Sequence, residues 1–397
     1  MPNGETIPVN PALLAWARQE SGYDRERVAR RLQVKEERLA AWESGERRPT
    51  FRQVEKLAAF LRRPLSVFFL PRPPQLAPLA ADYRRLPGIQ PGHESPELRL
   101  ALRQMLGRRE NALNLMGELG EAVPEFSLRA HLNERAADVG ARMREATGID
   151  PLSQLDWADE WRAWDAWRTA AERLGVLVFQ FPKVALEEVR GLALLRMPLP
   201  VIAINSKEIP GAKGYTIFHE LAHLMLAAGN EEKPALREDR TPTEWAKVER
   251  FAEIAASHAL VPEATLSTVI GNLRLRHTTW DIQDVRRIAK AFRITPLAMA
   301  TRLRESEYMS WTRYNQWRAD WDGYVATLPA RRGGFASPAE KAVSRAGRPF
   351  TQLVLEALSA NRLTAVDAAR YLDLRFEHFE NLKTHLGRRP LEGISDE

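Results

Sequence analysis

The segment 214–229, GYTIFHELAHLMLAAG, constrains the fold more than any other part of this chain. It keeps a helical rhythm up to Gly229 and carries His219, Glu220 and His223 at its centre. At ~100° per residue, positions four apart on a helix lie about 40° from each other, so both imidazoles project from one face. Two neutral imidazoles at that spacing can grip one metal ion, and the intervening Glu220 can reach a water held beside it. A zinc ion in such a site takes a third protein ligand and keeps its fourth position open. The chain has no cysteine, which excludes disulfides, thiolate ligands and a cysteine nucleophile, so that ligand must be His, Asp or Glu. The next long helical stretch offers Glu249 and Glu253, again four apart. Glu249 is the expected ligand and Glu253 the expected group orienting an imidazole; the reverse assignment stays open, since either carboxylate has the reach. His258 reads as structural or surface, and the other histidines show no ligand spacing.

Around this helix the pattern is α+β and mostly helical. Residues 9–70 hold a run of short amphipathic helices, with Asp24 placed to cap one, Leu39 and Trp42 facing inward on another, and Gly45 as its stop. The proline-rich stretch from 71 cannot continue a helix and reads as a stiff linker over 71–95. Two helices are expected over 96–146. Another is expected over 154–173, with Trp157, Trp161 and Trp164 as a core stripe. Residues 174–181, 189–195 and 199–205 are strand candidates. Thr241, Pro242 and Glu244 form the start signal of the helix carrying Glu249, which stops at Pro262. The break ARRGG at 330–334 sets off a last helical piece whose LTAVDAARYLDLRFEHFENL repeats the rhythm of a helix-turn-helix. The expected domains are therefore 1–70, a linker 71–95, a central domain 96–329 and a helical domain 330–397.

IFHELAHLML followed by VERFAEIAASHALVP resembles the ImmA/IrrE family of zinc metallopeptidases, whose second helix has the form ExxANxFAxxLLMP. The resemblance covers about 150–320. It implies a zincin-like fold with Zn2+ as cofactor, Glu220 as general base and His219, His223 and Glu249 as ligands. Glu253 falls on the family's Asn and Ala255 on its Phe; the first departure bears on hydrogen bonding around the ligands. VIAIN, residues Val201, Ile202, Ala203, Ile204 and Asn205, looks like the family's edge strand, which pairs with an extended substrate.

LQVKEERLAAWESGERRPT resembles the Xre-type helix-turn-helix pattern at nearly every position, with Lys35 replacing the usual Ser. Residues 1–73 hold 14 Lys/Arg against 9 Asp/Glu within a chain of net charge +6. In such domains helix 35–44 enters the major groove. Lys35 and Arg38 lie at its groove-facing end, beside two acids, Glu36 and Glu37, which phosphate would repel; Arg47, Arg48 and Arg52 could meet the backbone. A solvated basic face or a protein-docking module is the alternative. The fusion implies a regulatory zinc metalloprotease that cleaves a repressor- or toxin-type partner protein, with double-stranded DNA as a second partner and room for a homodimer. The rival readings are an antitoxin or transcriptional regulator whose peptidase-like domain binds without cleaving, and a zinc-dependent switch. No signal peptide or membrane-length apolar run is present, so a cytoplasmic, non-membrane protein is expected.

Overall fold

The computed structural model describes residues 5–75, 92–233, 240–274, 280–328 and 336–387. These divide into two compact units, the described residues up to Gln104 and those from Met105 onward.

The first unit opens with α1 (Pro11–Glu20), α2 (Arg25–Leu32), α3 (Glu36–Ser44) and α4 (Phe51–Leu61), followed by a 3-10 turn at Leu65–Phe69. Asn10, Asp24 and Thr50 cap three of these helices, and Gln53 completes a capping box with Thr50. Leu13, Val28, Leu39, Trp42, Val54 and Leu57 form its core. Glu43, one residue after Trp42, is held by Arg18 at 2.6 Å and Arg25 at 2.8 Å. That pair locks α3 against α1 and α2, the arrangement expected of a helix-turn-helix. α5 (Pro96–Leu119) then begins, and the boundary between the units falls within it. Most of the linker expected over 71–95 lies outside the described residues.

In the second unit come α6 (Ala136–Ala146), α7 (Glu160–Arg173), β1 (Leu177–Phe181), β2 (Gly191–Leu194), β3 (Val201–Asn205), α8 (Pro210–Ala228) and α9 (Pro242–Leu260). The sheet order is β1-β3-β2, with β1 parallel and β2 antiparallel to β3. This corrects the reading of Val201–Asn205 as the edge strand. β3 is the centre of the sheet, and every residue from Val201 to Asn205 is buried. β1 and β2 are buried throughout as well, so the apolar run VIAI does not by itself mark the outer strand. Among the described residues, no strand pairs with the outer side of β2.

The tryptophan stripe also needs correction. Asp159 caps α7 through the Arg162 N–H, so Trp157 precedes the helix and Trp161 is 60% exposed. The buried pair is Trp164 and Trp167, and Trp157 meets Trp167 edge-on, ring centres 5.0 Å apart.

α8 packs on β2 and β3, with α7 and α9 against it. Ile217, Phe218, Leu221, Leu224, Met225 and Leu226 are all buried, each contributing roughly 1.5–3 kcal/mol. α6 closes on α9 so tightly that a Cβ at Gly140 would come within 2.4 Å of the Ala255 carbonyl oxygen. The unit continues with α10 (Glu263–Asn272), α11 (Ile282–Ala291), α12 (Pro296–Glu305) and α13 (Trp311–Ala326).

The C-terminal helices α14 (Pro338–Ala346), α15 (Arg348–Ser359), α16 (Ala365–Leu372) and α17 (Phe379–Gly387) belong to this same unit. The break expected at 330–334 lies outside the described residues. α14 packs on β1, Phe350 meets Phe179 edge-on at 5.9 Å, and Arg168 donates to the Ser344 carbonyl at 2.9 Å. Where the sequence suggests an independent last domain, the described residues 336–387 cover one flank of the sheet.

Candidate metal centre

α8 owes its position to the strands before it and to Gly229 after it. Pro210 opens the helix at a position where its missing N–H costs nothing. α9 starts on the Thr241–Glu244 capping box, both halves of which are formed. Its length then places Glu249 opposite the middle of α8.

There the two helices bring three donors together. The Nε2 atoms of His219 and His223 are 3.2 Å apart. Glu249 lies 3.4 Å from His219 Nε2 through one carboxylate oxygen and 3.6 Å from His223 Nε2 through the other. Zinc-donor bonds of about 2.0–2.1 Å at a tetrahedral angle set donors about 3.3–3.4 Å apart. The observed triangle has that size, and the described residues hold no other such cluster. Two imidazoles and one carboxylate, with no sulfur, form a donor set that suits Zn2+.

A further carboxylate fixes one of the imidazoles. His223 is fully buried, and its Nδ1 lies 2.7 Å from Oε2 of Glu232, also buried. A carboxylate accepts only, so Nδ1 carries the proton and donates it, which leaves the Nε2 lone pair facing the other two donors. Glu253 does not take this place. Its side chain is half-exposed and faces Arg250 at 3.7 Å, and Arg250 also binds Glu305 at 2.7 Å. The departure from the family pattern at 253 therefore lies outside the hydrogen bonding at His223. Replacing Glu232 with Gln should lower metal affinity about 10–100-fold with the fold retained. Competition with a chromogenic chelator measures this, and unchanged affinity would show that the pair is only structural.

His219 stacks against Tyr215, ring centres 6.2 Å apart. Glu220 is buried at 1% exposure and lies against the first residue of β2. A Cβ at Gly191 would come within 3.2 Å of the Glu220 carboxylate and 2.3 Å of the Thr216 methyl. Thr216 in turn donates to Glu208 at 2.9 Å.

Sequence reasoning singled out neither Glu208 nor Glu232. Burial pushes the Glu208 carboxyl from 4.5 up to about 7; the Thr216 hydrogen bond, Arg190 and Lys213 work against that, and Glu220 adds to it. The unfolded chain ionises Glu208 near 4.5 and the folded chain near 7, so the native protein loses stability as pH rises through that window. The melting temperature of Glu208→Gln should therefore gain on wild type from pH 4.5 to 7 and hold its lead above. A difference independent of pH across the window would contradict this.

Comparison with known families agrees with the geometry. Residues 171–304 match the model of the IrrE N-terminal-like domain, a peptidase family. The chain carries an IrrE-like peptidase domain. Residues 14–68 match a helix-turn-helix model, so the IrrE-like domain is fused to a helix-turn-helix domain. Searching the curated proteins gives no significant match. In the helix-turn-helix domain Lys35, Arg38, Arg47, Arg48 and Arg52 are all exposed, as are Glu36 and Glu37. No helix among the described residues is long and apolar enough to cross a membrane.

Proposed function

We propose that this protein is a regulatory zinc peptidase, fused to a DNA-binding module, that cleaves a repressor- or toxin-type partner. The observation that carries this reading is the donor triangle of His219, His223 and Glu249, with Glu220 buried on the same helix, next to His219 in sequence. When bound, zinc supplies a Lewis acid that polarises a carbonyl and brings the pKa of water to about 7. His219, His223 and Glu249 hold the ion, and the Glu232 carboxylate keeps His223 in the ligating tautomer. Glu220 takes a proton from the attacking water and passes it to the leaving amine as the peptide bond breaks.

An extended substrate segment pairs with β2, an outer strand, rather than with β3; the other outer strand, β1, packs against α14. β2 begins at Gly191, beside the Glu220 carboxylate, so a peptide aligned along it runs past the base. Co-expression with proteins encoded beside this one tests the reading. Cleavage by wild type and none by Glu220→Gln supports it; the same products from both would remove it.

DNA binding rests on the exposed basic residues at the start of α3 and in the turn after it. Arg47→Ala and Arg48→Ala should each weaken binding about equally across sequences and flatten the salt dependence by about one phosphate contact. Titrations of duplex DNA at several salt concentrations measure this; unchanged affinity in the double variant would place the arginines off the DNA.

A further inference from the structure

Glu208 is a buried carboxylate that the chemistry above does not use. It sits in the turn between β3 and α8, its N–H donating to the Asn205 carbonyl at 3.0 Å, and its side chain is almost wholly enclosed. One carboxylate oxygen accepts from the Thr216 hydroxyl, one turn before His219 and Glu220 on α8. The other lies 3.7 Å from the guanidinium of Arg190, the residue before Gly191. The Arg190 carbonyl accepts from the Asn205 N–H at 2.7 Å, and the Asn205 side-chain amide donates to the Val189 carbonyl at 2.9 Å. The β3–α8 turn thus holds the start of β2 on one side and Thr216 on the other.

Thr216 and Glu220 are the two side chains that close on Gly191. An apolar side chain of the same size would fill the space behind them without holding the Thr216 hydroxyl, so what Glu208 supplies is an acceptor. We propose that Glu208 is a positioning residue for peptide recognition. By holding Thr216 it fixes the spacing between the Glu220 carboxylate and β2 at Gly191, and so the register in which an extended peptide meets the metal ligands. This rests on the peptidase reading.

Two hydroxamates, bound to the zinc-loaded full-length chain and followed by calorimetry, separate this role from the metal centre itself. Acetohydroxamate engages the ion alone, whereas a peptidyl hydroxamate also lies along β2. Thr216→Val and Glu208→Ala should each weaken the peptidyl hydroxamate roughly tenfold and leave acetohydroxamate unchanged. Glu208→Gln, which keeps an acceptor for Thr216, should bind both as wild type does. Equal loss of both probes, or loss of neither, overturns the proposal, as does a wild-type protein that gains nothing from the peptide portion. A zinc-loaded wild type that fails to bind acetohydroxamate instead removes the metal reading of the site.

Discussion

Glu220→Gln should leave the metal centre able to load and lower peptide hydrolysis by about 10²–10⁴-fold. The two effects separate because Glu220 is not one of the three clustered donors. It directly follows His219 on α8, and its carboxylate is enclosed against Gly191, where a peptide along β2 would pass. Glutamine has the same shape and keeps a hydrogen-bonding oxygen, but it cannot accept the proton of the attacking water. Metal titration and cleavage assays on the same preparation check both halves. Retained hydrolysis would assign the base to another group, and lost metal would mean that the substitution disturbs α8 itself.

The second large effect belongs to α9. Glu249→Ala removes one corner of the donor triangle, and affinity for zinc should fall by roughly 10³-fold or more, because two imidazoles alone leave the ion largely hydrated. Glu253→Ala should leave that affinity unchanged, since its carboxylate is engaged with Arg250 at the surface. Measured side by side by chelator competition, the pair distinguishes the two assignments that spacing alone leaves open. A large loss at Glu253 with little at Glu249 would reverse the account.

The contrast between these two residues shows what the sequence can specify. The His219–His223 spacing fixes its own geometry, because a helix puts both rings on one face wherever it packs. Glu249 and Glu253 share a face in the same way, but which one meets the imidazoles depends on how α9 is turned against α8. That rotation is set by tertiary contacts such as Gly140 on α6, and the Arg250 pairing with Glu305 draws Glu253 outward. Glu232 comes from the irregular stretch after Gly229, where no periodicity announces it; an acidic residue soon after the helix stop is the only signal. Glu208 is hidden for the same reason, in the turn before α8.

Strand order was not legible: VIAIN reads as the edge strand, and the sheet puts it at the centre. VIAI and GLAL are both apolar at consecutive positions and both buried throughout, so the pattern alone does not tell the central strand from an outer one. The C-terminal helices mislead for a different reason. Their own caps and apolar rhythm are complete, and the polar contacts that tie them to β1 and α7, Ser344 to Gln180 and to Arg168, fall at positions with no distinguishing pattern.

Zinc-edge X-ray absorption on the purified full-length chain tests the central claim most directly. The account predicts one tightly held ion with only nitrogen and oxygen neighbours at about 2.0–2.1 Å and the outer-shell scattering of two imidazoles. A preparation that binds no divalent ion, or an ion whose spectrum lacks the imidazole signature, would contradict it.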